Sequence, residues 1–201
     1  MQHLEHWQEM WKGLGVVAAD AALFHELLGC YSETHRRYHT LQHLDECFAC
    51  LEQARVFAEH PYEVELALWL HDAVYDTKRQ DNEQRSAEWA KATALRSGLA
   101  SASAERVYEL VLVTRHHAVP EGTDAKILVD IDLSILGAAD QRFDEYERQV
   151  RVEYAWVPEV LFRRKRRKIL EEFVARPRIF NTDHFFKSHE ARALSNLQRS
   201  L

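Results

Sequence analysis

Apolar residues recur at helical spacing along most of the chain. Between Leu41 and Ala54, for example, they return every three or four positions, which is the period of an α-helix. Similar patterns predict helices over residues 1–12, 16–28, 61–71, 82–95, 103–116, 126–136, 141–156 and 158–175, and from 183 to the C-terminus. No segment alternates convincingly between apolar and polar residues, as a half-buried strand would. The pattern therefore predicts an all-α fold.

The composition favours the same fold. The 201 residues include only 6 Gly and 4 Pro, which are too few for the many turns of a sandwich or barrel. Hydrophobic residues make up 46% and charged residues 29%, so the chain can bury a core, and wholesale disorder is excluded. The length suits one domain, which we expect to span residues 1–201.

The net charge of −6 argues against a long nucleic acid as partner, although a local basic patch can still bind phosphate. No apolar run reaches the roughly 18 residues that a membrane span needs. The N-terminus lacks the basic and apolar regions of a signal peptide, and three cysteines do not suggest a disulfide framework. We therefore expect a cytoplasmic protein with no membrane partner. No oligomeric state is predicted.

The chain is rich in histidine, with 12 residues, and two of them form the first candidate motif. In the segment from Tyr38 to His43, His39 and His43 are four positions apart, so they share a face if both are helical. Such a pair can bind a metal together, or one imidazole can bind metal while the other serves as an acid. The alternative is an exposed pair without a function.

Two further motifs place charge among apolar residues. His71 continues the apolar face of its predicted helix and Asp72 follows it; burying both is costly unless something such as a divalent cation pairs with them. The alternative for His71 is a buried imidazole bonded to the backbone. Asp130 and Asp132 interrupt the apolar run 126–136, and on a helix they point to different sides. At most one is expected to line a given site, and the other is explained as a helix cap.

The order of these motifs resembles the HD-domain superfamily of metal-dependent phosphohydrolases, whose signature is a His, a His-Asp pair and a distal Asp. More narrowly, the chain is similar to a bacterial group of small predicted HD phosphohydrolases, over nearly its whole length. The resemblance implies an all-α HD-domain helical bundle with a metal-site core at about residues 35–140. It implies a divalent ion. Because His and Asp bind many metals, the ion could be Mn, Mg, Ni, Co, Fe or Zn. The implied metal ligands are His43, His71, Asp72 and Asp132.

Two better understood relatives suggest roles. Cyclic nucleotide phosphodiesterases carry Tyr-His-Asn-x-x-His, in which the first His is the acid and the second binds metal. The resemblance therefore implies His39 as general acid, although Thr40 replaces the Asn. Their distal Asp-Leu-Ser resembles the segment beginning at Asp132, which favours Asp132 over Asp130. Guanosine tetraphosphate hydrolases carry His-Asp-x-x-Glu-Asp-Thr, which implies that Asp76 orients or deprotonates the attacking water. Tyr75 replaces their Glu, which argues against that particular substrate.

Secondary candidates lie between the motifs. Some HD proteins use further histidines for a second metal, so His116 and His117 are candidate ligands; a structural His pair is the alternative. Glu83 is a candidate for the second metal or substrate site, or for ordering water near a metal, whereas a helix start capped by Asp81 explains it equally well. Cys47 and Cys50 have redox spacing, but their place inside a predicted helix favours small buried thiols.

The sequence thus predicts a phosphohydrolase that cleaves a nucleotide or similar small phosphoester. Cations near the motifs are candidates for attracting the substrate: Lys78, Arg79, Arg85 and Arg115. A non-catalytic nucleotide- or metal-binding HD module is the main alternative. A nucleic-acid binder using the basic run 163–168 is the third, although a solvated helix face explains that run more simply.

Overall fold

Ten α-helices make up most of the computed structural model, which describes residues 2–115 and 120–201. They are α1 (Gln2–Gly13), α2 (Ala21–Tyr31), α3 (Leu41–Ala54), α4 (Pro61–Leu70), α5 (Asn82–Arg96), α6 (Ser101–Leu112), α7 (Thr123–Asp132), α8 (Asp140–Glu153), α9 (Glu159–Val174) and α10 (Asp183–Ser200). Short 3₁₀ helices cover Arg55–Phe57, Val113–Arg115 and Leu133–Gly137. The described ranges contain no β-strand, which confirms the all-α prediction. Within them, no helix combines the length and apolarity that crossing a membrane requires.

Several helix boundaries differ from the prediction. The helix predicted from residue 16 begins at Ala21, because the Asp20 carboxylate caps it by accepting hydrogen bonds from the backbone N–H groups of Ala22 and Leu23 at 2.9 and 3.0 Å. The single helix predicted over 126–136 is an α-helix that ends at Asp132, followed by a 3₁₀ segment. The helix predicted to end at residue 156 ends at Glu153.

The central element is α4, which is buried on every side. Eight of its ten residues are buried, and it packs against α1, α3, α5, α6 and α7. Its two buried glutamates have cationic partners: Glu63 accepts two hydrogen bonds of 2.7 Å from Arg106, and Glu65 accepts one of 2.6 Å from Arg55. Because α4 is held on all sides, the residues at its C-terminal end have a fixed position.

Aromatic side chains fill the space around α4. Trp69 lies 5.3 Å from Trp7, 4.8 Å from Phe48 and 6.0 Å from Phe24, measured between ring centroids. Trp7 and Trp69 are fully buried. The terminal helix α1 is therefore part of the core that supports α3 and α4.

The C-terminal helix α10 fixes the segment that follows α7. The Asn196 side chain donates hydrogen bonds of 2.9 Å to the carbonyl oxygens of Leu136 and Ala138. At Gly137 the two elements touch so closely that a Cβ atom would lie 2.7 Å from the Cβ atom of His189. This packing holds the end of α7, where Asp132 lies.

Candidate metal centre

Four of the residues predicted from the motifs converge at one point. His43 is in the first turn of α3, His71 and Asp72 directly follow α4, and Asp132 ends α7. The Nε2 atoms of the two histidines are 3.2 Å apart. His43 Nε2 lies 3.7 Å from an Asp72 oxygen and 3.4 Å from an Asp132 oxygen, and the corresponding distances from His71 Nε2 are 3.1 and 3.7 Å.

Three of these five distances match those between ligands of a single ion, and the two of 3.7 Å are slightly longer. Ligand atoms at octahedral or tetrahedral angles lie about 3.0–3.4 Å apart when each metal bond is about 2.1 Å long. Both imidazoles are almost completely buried, whereas the carboxylates of Asp72 and Asp132 keep 19% and 13% of their surface exposed. The cluster is therefore closed on its histidine side and open to solvent on its carboxylate side.

The hydrogen bond of His71 fixes which of its nitrogens faces the cluster with a lone pair. Its Nδ1 atom lies 2.7 Å from the carbonyl oxygen of Leu68, which can only accept, so Nδ1 carries the proton. In the neutral imidazole the Nε2 lone pair then points to the cluster, as in a metal-binding histidine. The backbone-bonded and ligand interpretations of His71 are thus compatible. The imidazole nitrogens and carboxylate oxygens of the cluster are ligands that fit a divalent cation.

The charges of the cluster are strongly coupled. Burial raises the pKa of Asp72, but the neighbouring imidazoles of His71 and His39 outweigh this effect and hold it well below its usual range. Burial likewise lowers the pKa of His71, whereas Asp72 and Asp132 raise it well above its usual value. The two carboxylates thus favour a positive charge next to them in this buried site, and a bound metal cation would supply that charge.

Cys47 is also close enough to take part in a metal site with His43 and His71. Its Sγ atom lies 3.8 Å from Nδ1 and 3.7 Å from Nε2 of His43. An ion about 2.1 Å from Nε2 along its lone pair would lie more than about 4 Å from a sulfur equally distant from both ring nitrogens, whereas a metal–sulfur bond is about 2.3 Å, so Cys47 packs against the imidazole. Burial raises the pKa of its thiol well above the usual value.

His39 lies beside the cluster, outside α3, so helical spacing does not account for its position relative to His43. Their ring centroids are nevertheless 5.9 Å apart. His39 Nδ1 lies 2.8 Å from Oε2 of Glu153, the last residue of α8. Burial lowers the pKa of His39, but the charges of Asp72 and Glu153 outweigh it and raise the pKa above its usual value. His39 is therefore oriented by a carboxylate that favours its protonated form.

The sequence analysis did not select Glu153. Its Oε1 atom accepts hydrogen bonds from the backbone N–H groups of Arg37, Tyr38 and His39 at 2.7, 2.8 and 3.0 Å. Its Oε2 atom accepts a hydrogen bond of 2.8 Å from the Tyr75 hydroxyl. Burial raises the pKa of Glu153, but the His39 ring and the backbone N–H groups of Arg37 and His39 lower it to about 2.

A signal for Glu153 was present in the hydrophobic pattern. Glu153 follows Phe143, Tyr146 and Val150 at helical spacing on the buried face of α8. A carboxylate in such a series needs a buried partner. The pattern shows that a partner must exist, but it does not show that the partner is His39, which is 114 positions away.

Arg36 is a second residue that the sequence analysis missed. Its buried guanidinium donates hydrogen bonds to the carbonyl oxygens of His39, Asp72 and Ala73 at 3.3, 2.6 and 3.0 Å. It also pairs with Glu33 at 2.9 Å. One side chain therefore ties the segment carrying His39 to the segment carrying Asp72.

Asp130 and Asp132 point to different sides, as expected for two positions on one helix. Asp130 is fully buried and accepts four hydrogen bonds of 2.7–2.9 Å from the backbone and side chains of Asn181 and Thr182. Thr182 is the N-cap of α10. Asp130 therefore anchors the start of α10, and Asp132 is the member of the pair that faces His43 and His71.

The other predicted site residues are less closely tied to the cluster. Asp76 is exposed, and its carboxylate accepts a hydrogen bond of 2.9 Å from the Lys78 backbone N–H. Its role in orienting water stays a prediction. Glu83 lies in the first turn of α5, but the Asp81 side chain does not cap that helix and instead pairs with Arg79 at 2.6 Å. His116 and His117 lie outside the described residues.

The basic run 163–168 lies on α9, where most of its charge is balanced within the chain. Arg163 and Arg167 pair with glutamates one turn away at 2.5 and 2.9 Å, and Lys168 does so at 3.8 Å. Arg166 bonds to Glu147 and to the Tyr146 hydroxyl. In the described part of the chain only Arg164 and Lys165 of this run lack such a partner, as expected of a solvated helix face.

No family model, curated protein or solved structure matches this chain. The resemblance to HD-domain proteins therefore stays a prediction that depends on the motifs, and the geometry of the cluster is a separate observation.

Proposed function

We propose that this chain is a metal-dependent phosphohydrolase of the HD type, which cleaves a small phosphoester such as a nucleotide. The observation that carries the proposal is the convergence of two imidazoles and two carboxylates, with atoms 3.1–3.7 Å apart, beside a histidine paired with a buried glutamate. Both features are seen in the structure independently of the resemblance to HD proteins, and their chemistry agrees with that resemblance.

His43, His71, Asp72 and Asp132 would hold the divalent ion. When bound, such an ion supplies activation of a water molecule and neutralisation of charge on the phosphoryl oxygens. The two carboxylates balance the two positive charges of the ion, so an anionic substrate meets a nearly neutral site. Nitrogen and oxygen ligands together suit Mn, Mg, Ni, Co, Fe or Zn.

His39 would act as the general acid that protonates the leaving alkoxide. Its Nδ1 atom is held by Glu153, so Nε2 is the nitrogen left to deliver a proton. Glu153 stabilises the imidazolium and keeps the ring in one orientation. Proton transfer by a positioned side chain typically contributes about 10²–10⁴-fold to a rate.

The experiment that tests the proposal is hydrolysis of a panel of phosphoesters by metal-stripped protein reloaded with Mn²⁺, Mg²⁺, Ni²⁺ or Co²⁺. We expect turnover of mononucleotides or other small phosphoesters that depends on added metal. Metal binding without turnover of any ester would overturn the proposal in favour of a non-catalytic HD module. Preferred turnover of oligonucleotides would contradict a small substrate.

The assignment of His39 has its own test. The His39→Ala variant should lower turnover by about 10²-fold or more while its metal content stays unchanged, since the imidazole acts on the leaving group. The Glu153→Gln variant should also turn over more slowly, because the amide no longer favours imidazolium. Loss of the ion in the His39 variant would make His39 a ligand and refute its assignment as the acid.

A further inference from the structure

A cavity of about 790 Å³ lies next to the His39–Glu153 pair. Its walls come from α2, the segment 73–79 after α4, α5 and the connection between α8 and α9. Tyr75 and Glu153 line this cavity and also contact His39: the Tyr75 ring lies 4.2 Å from the His39 ring, and Glu153 holds Nδ1 of His39. A ligand in the cavity would therefore lie close to the residue proposed as general acid.

Two tryptophans give the cavity surfaces on which a planar ring can stack. Trp89 comes from α5, and Trp156 from the connection between α8 and α9. Trp156 is 52% exposed, which is unusual for so large a hydrophobic residue. Its Nε1 atom donates a hydrogen bond of 2.8 Å to the Thr77 hydroxyl, which fixes the exposed ring in place.

The cavity also carries cations that the chain leaves free. Lys78 and Arg85 line it, and neither has a carboxylate within 4 Å among the residues that the structure describes. The Lys78 ammonium lies 6.0 Å from the centre of the Trp156 ring, so a positive charge and an aromatic surface lie side by side.

Most of the carboxylates in the lining are already engaged. Glu33 pairs with the buried Arg36, Asp76 accepts from a backbone N–H, and Glu153 is fully hydrogen-bonded. Glu26 is the lining carboxylate without such a partner in the described residues. These carboxylates keep their negative charge, so the lining as a whole is not positive; Lys78 and Arg85 are the lining cations that no carboxylate within 4 Å pairs with among the described residues.

We propose that this cavity binds an organic phosphate that carries a planar ring, namely a nucleotide. The ring stacks on Trp156, and Arg85 and Lys78 contact the anionic group. The volume falls within the range of about 300–1,000 Å³ typical of small-molecule sites. The inference rests on the proposed function only in treating this ligand as the substrate, since binding itself does not require the metal centre.

The test is calorimetric titration of the full-length protein with a non-hydrolysable nucleoside monophosphonate. Stacking of a base on an aromatic ring and a hydrogen-bonded Arg–phosphate contact are each typically worth about tenfold or more in affinity. The Trp156→Ala and Arg85→Gln variants should each weaken binding by about that factor, whereas Trp156→Phe and Arg85→Lys should retain most of it. Arg164→Gln, which removes an exposed and unpaired cation of α9, is the matched control and should bind like the wild type.

The nucleoside alone and inorganic phosphate alone should bind more weakly than the phosphonate, since each uses one half of the site. The inference is overturned if the phosphonate does not bind, if neither cavity variant weakens it, or if phosphate alone binds as tightly. Phosphonate binding at the cavity without turnover in the phosphoester panel would refute the proposed function alone. Metal-dependent turnover with unaltered cavity variants would refute this inference alone.

Discussion

At the scale of single residues, Glu153 connects the end of α8 to the loop that carries His39. It accepts five hydrogen bonds, three from successive backbone N–H groups at residues 37–39, one from the His39 ring and one from the Tyr75 hydroxyl. Charge-assisted bonds of this kind strongly favour the ionised carboxylate. Glu153 therefore shapes the loop that carries His39 as well as the charge on its ring.

The pKa of Glu153 predicts how stability depends on pH. Because the pKa is lowered from 4.5 to about 2, the ionised carboxylate stabilises the fold above pH 4.5, and this contribution disappears as pH falls through 2. A shift of this size corresponds to about 3 kcal/mol. The free energy of unfolding of the wild type should exceed that of Glu153→Gln by about this amount at pH 6, and the difference should shrink towards pH 2.

Urea unfolding of both proteins across this pH range measures the difference. A Glu9→Gln variant, which removes an exposed acid of α1 that pairs with no cation among the described residues, controls for general charge effects. A difference between wild type and Glu153→Gln that stayed constant with pH would contradict the lowered pKa.

Short motifs in the sequence marked the segments that form the cluster, because each combines chemistry with an apolar neighbourhood, and the resemblance to HD proteins selected the ligand within each segment. Glu153 and Arg36 were missed for a physical reason. Both bond largely to backbone groups, which leave no mark in the sequence, so the buried carboxylate at position 153 indicates a partner without identifying it. The resemblance favoured Asp132 over Asp130, but the role of Asp130 became visible only with the start of α10, 51 and 52 residues later.

At the scale of secondary structure, the close packing of α10 on the segment Leu133–Gly137 supports the end of α7. A Cβ atom at Gly137 would lie 2.7 Å from the Cβ atom and 2.9 Å from the carbonyl oxygen of His189, so either α10 or the segment Leu133–Gly137 must shift. We expect Gly137→Ala to lower the free energy of unfolding by about 1–3 kcal/mol. Because Asp132 precedes this segment, metal affinity should fall as well.

Gly29 is a matched control for this substitution. It lies within α2, and a Cβ atom there would meet nothing within 4 Å. Gly29→Ala should therefore stabilise the protein by up to about 1 kcal/mol, because alanine favours a helix. Denaturant unfolding of the two variants provides the measurement, and equal effects at both positions would show that the contact with α10 is unimportant.

Periodicity predicted the helices well but not all of their ends. A side-chain oxygen such as that of Asp20 decides where a helix begins, and the apolar pattern does not depend on it. The pattern also does not distinguish an α-helix from the 3₁₀ turn after Asp132, since both place residues three positions apart near each other. That turn separates the helical part of α7 from the segment that packs on α10.

At the scale of the whole molecule, charge is distributed so that a small anion can be bound without attracting a long polyanion. The chain has a net charge of −6, and four of the six cations in the run 163–168 have partners within the chain. The free cations Lys78 and Arg85 line the cavity instead. Local positive charge inside an acidic protein suits one or a few phosphates.

This distribution predicts that the basic run is unimportant for activity. Replacing both Arg164 and Lys165 by Gln should leave mononucleotide turnover and metal content unchanged within about twofold, since exposed unpaired cations contribute little at physiological ionic strength. Arg85→Gln serves as the contrasting variant, with an expected rise in KM. Oligonucleotide turnover that required Arg164 and Lys165 would contradict the small-substrate account.

The central claim is that His43, His71, Asp72 and Asp132 hold one divalent ion. Its most direct test is to measure, by calorimetry, the stoichiometry and affinity of Mn²⁺ binding to metal-stripped protein. The account predicts one tight site that weakens by at least about 10-fold when Asp132 is replaced by Asn, because a ligand to the ion is lost. Cys47→Ala should bind Mn²⁺ like the wild type, since Sγ is too far from an ion on the lone-pair axis of His43 Nε2 to bind it. Unchanged Mn²⁺ binding by Asp132→Asn, or its loss in Cys47→Ala, would contradict the assigned centre.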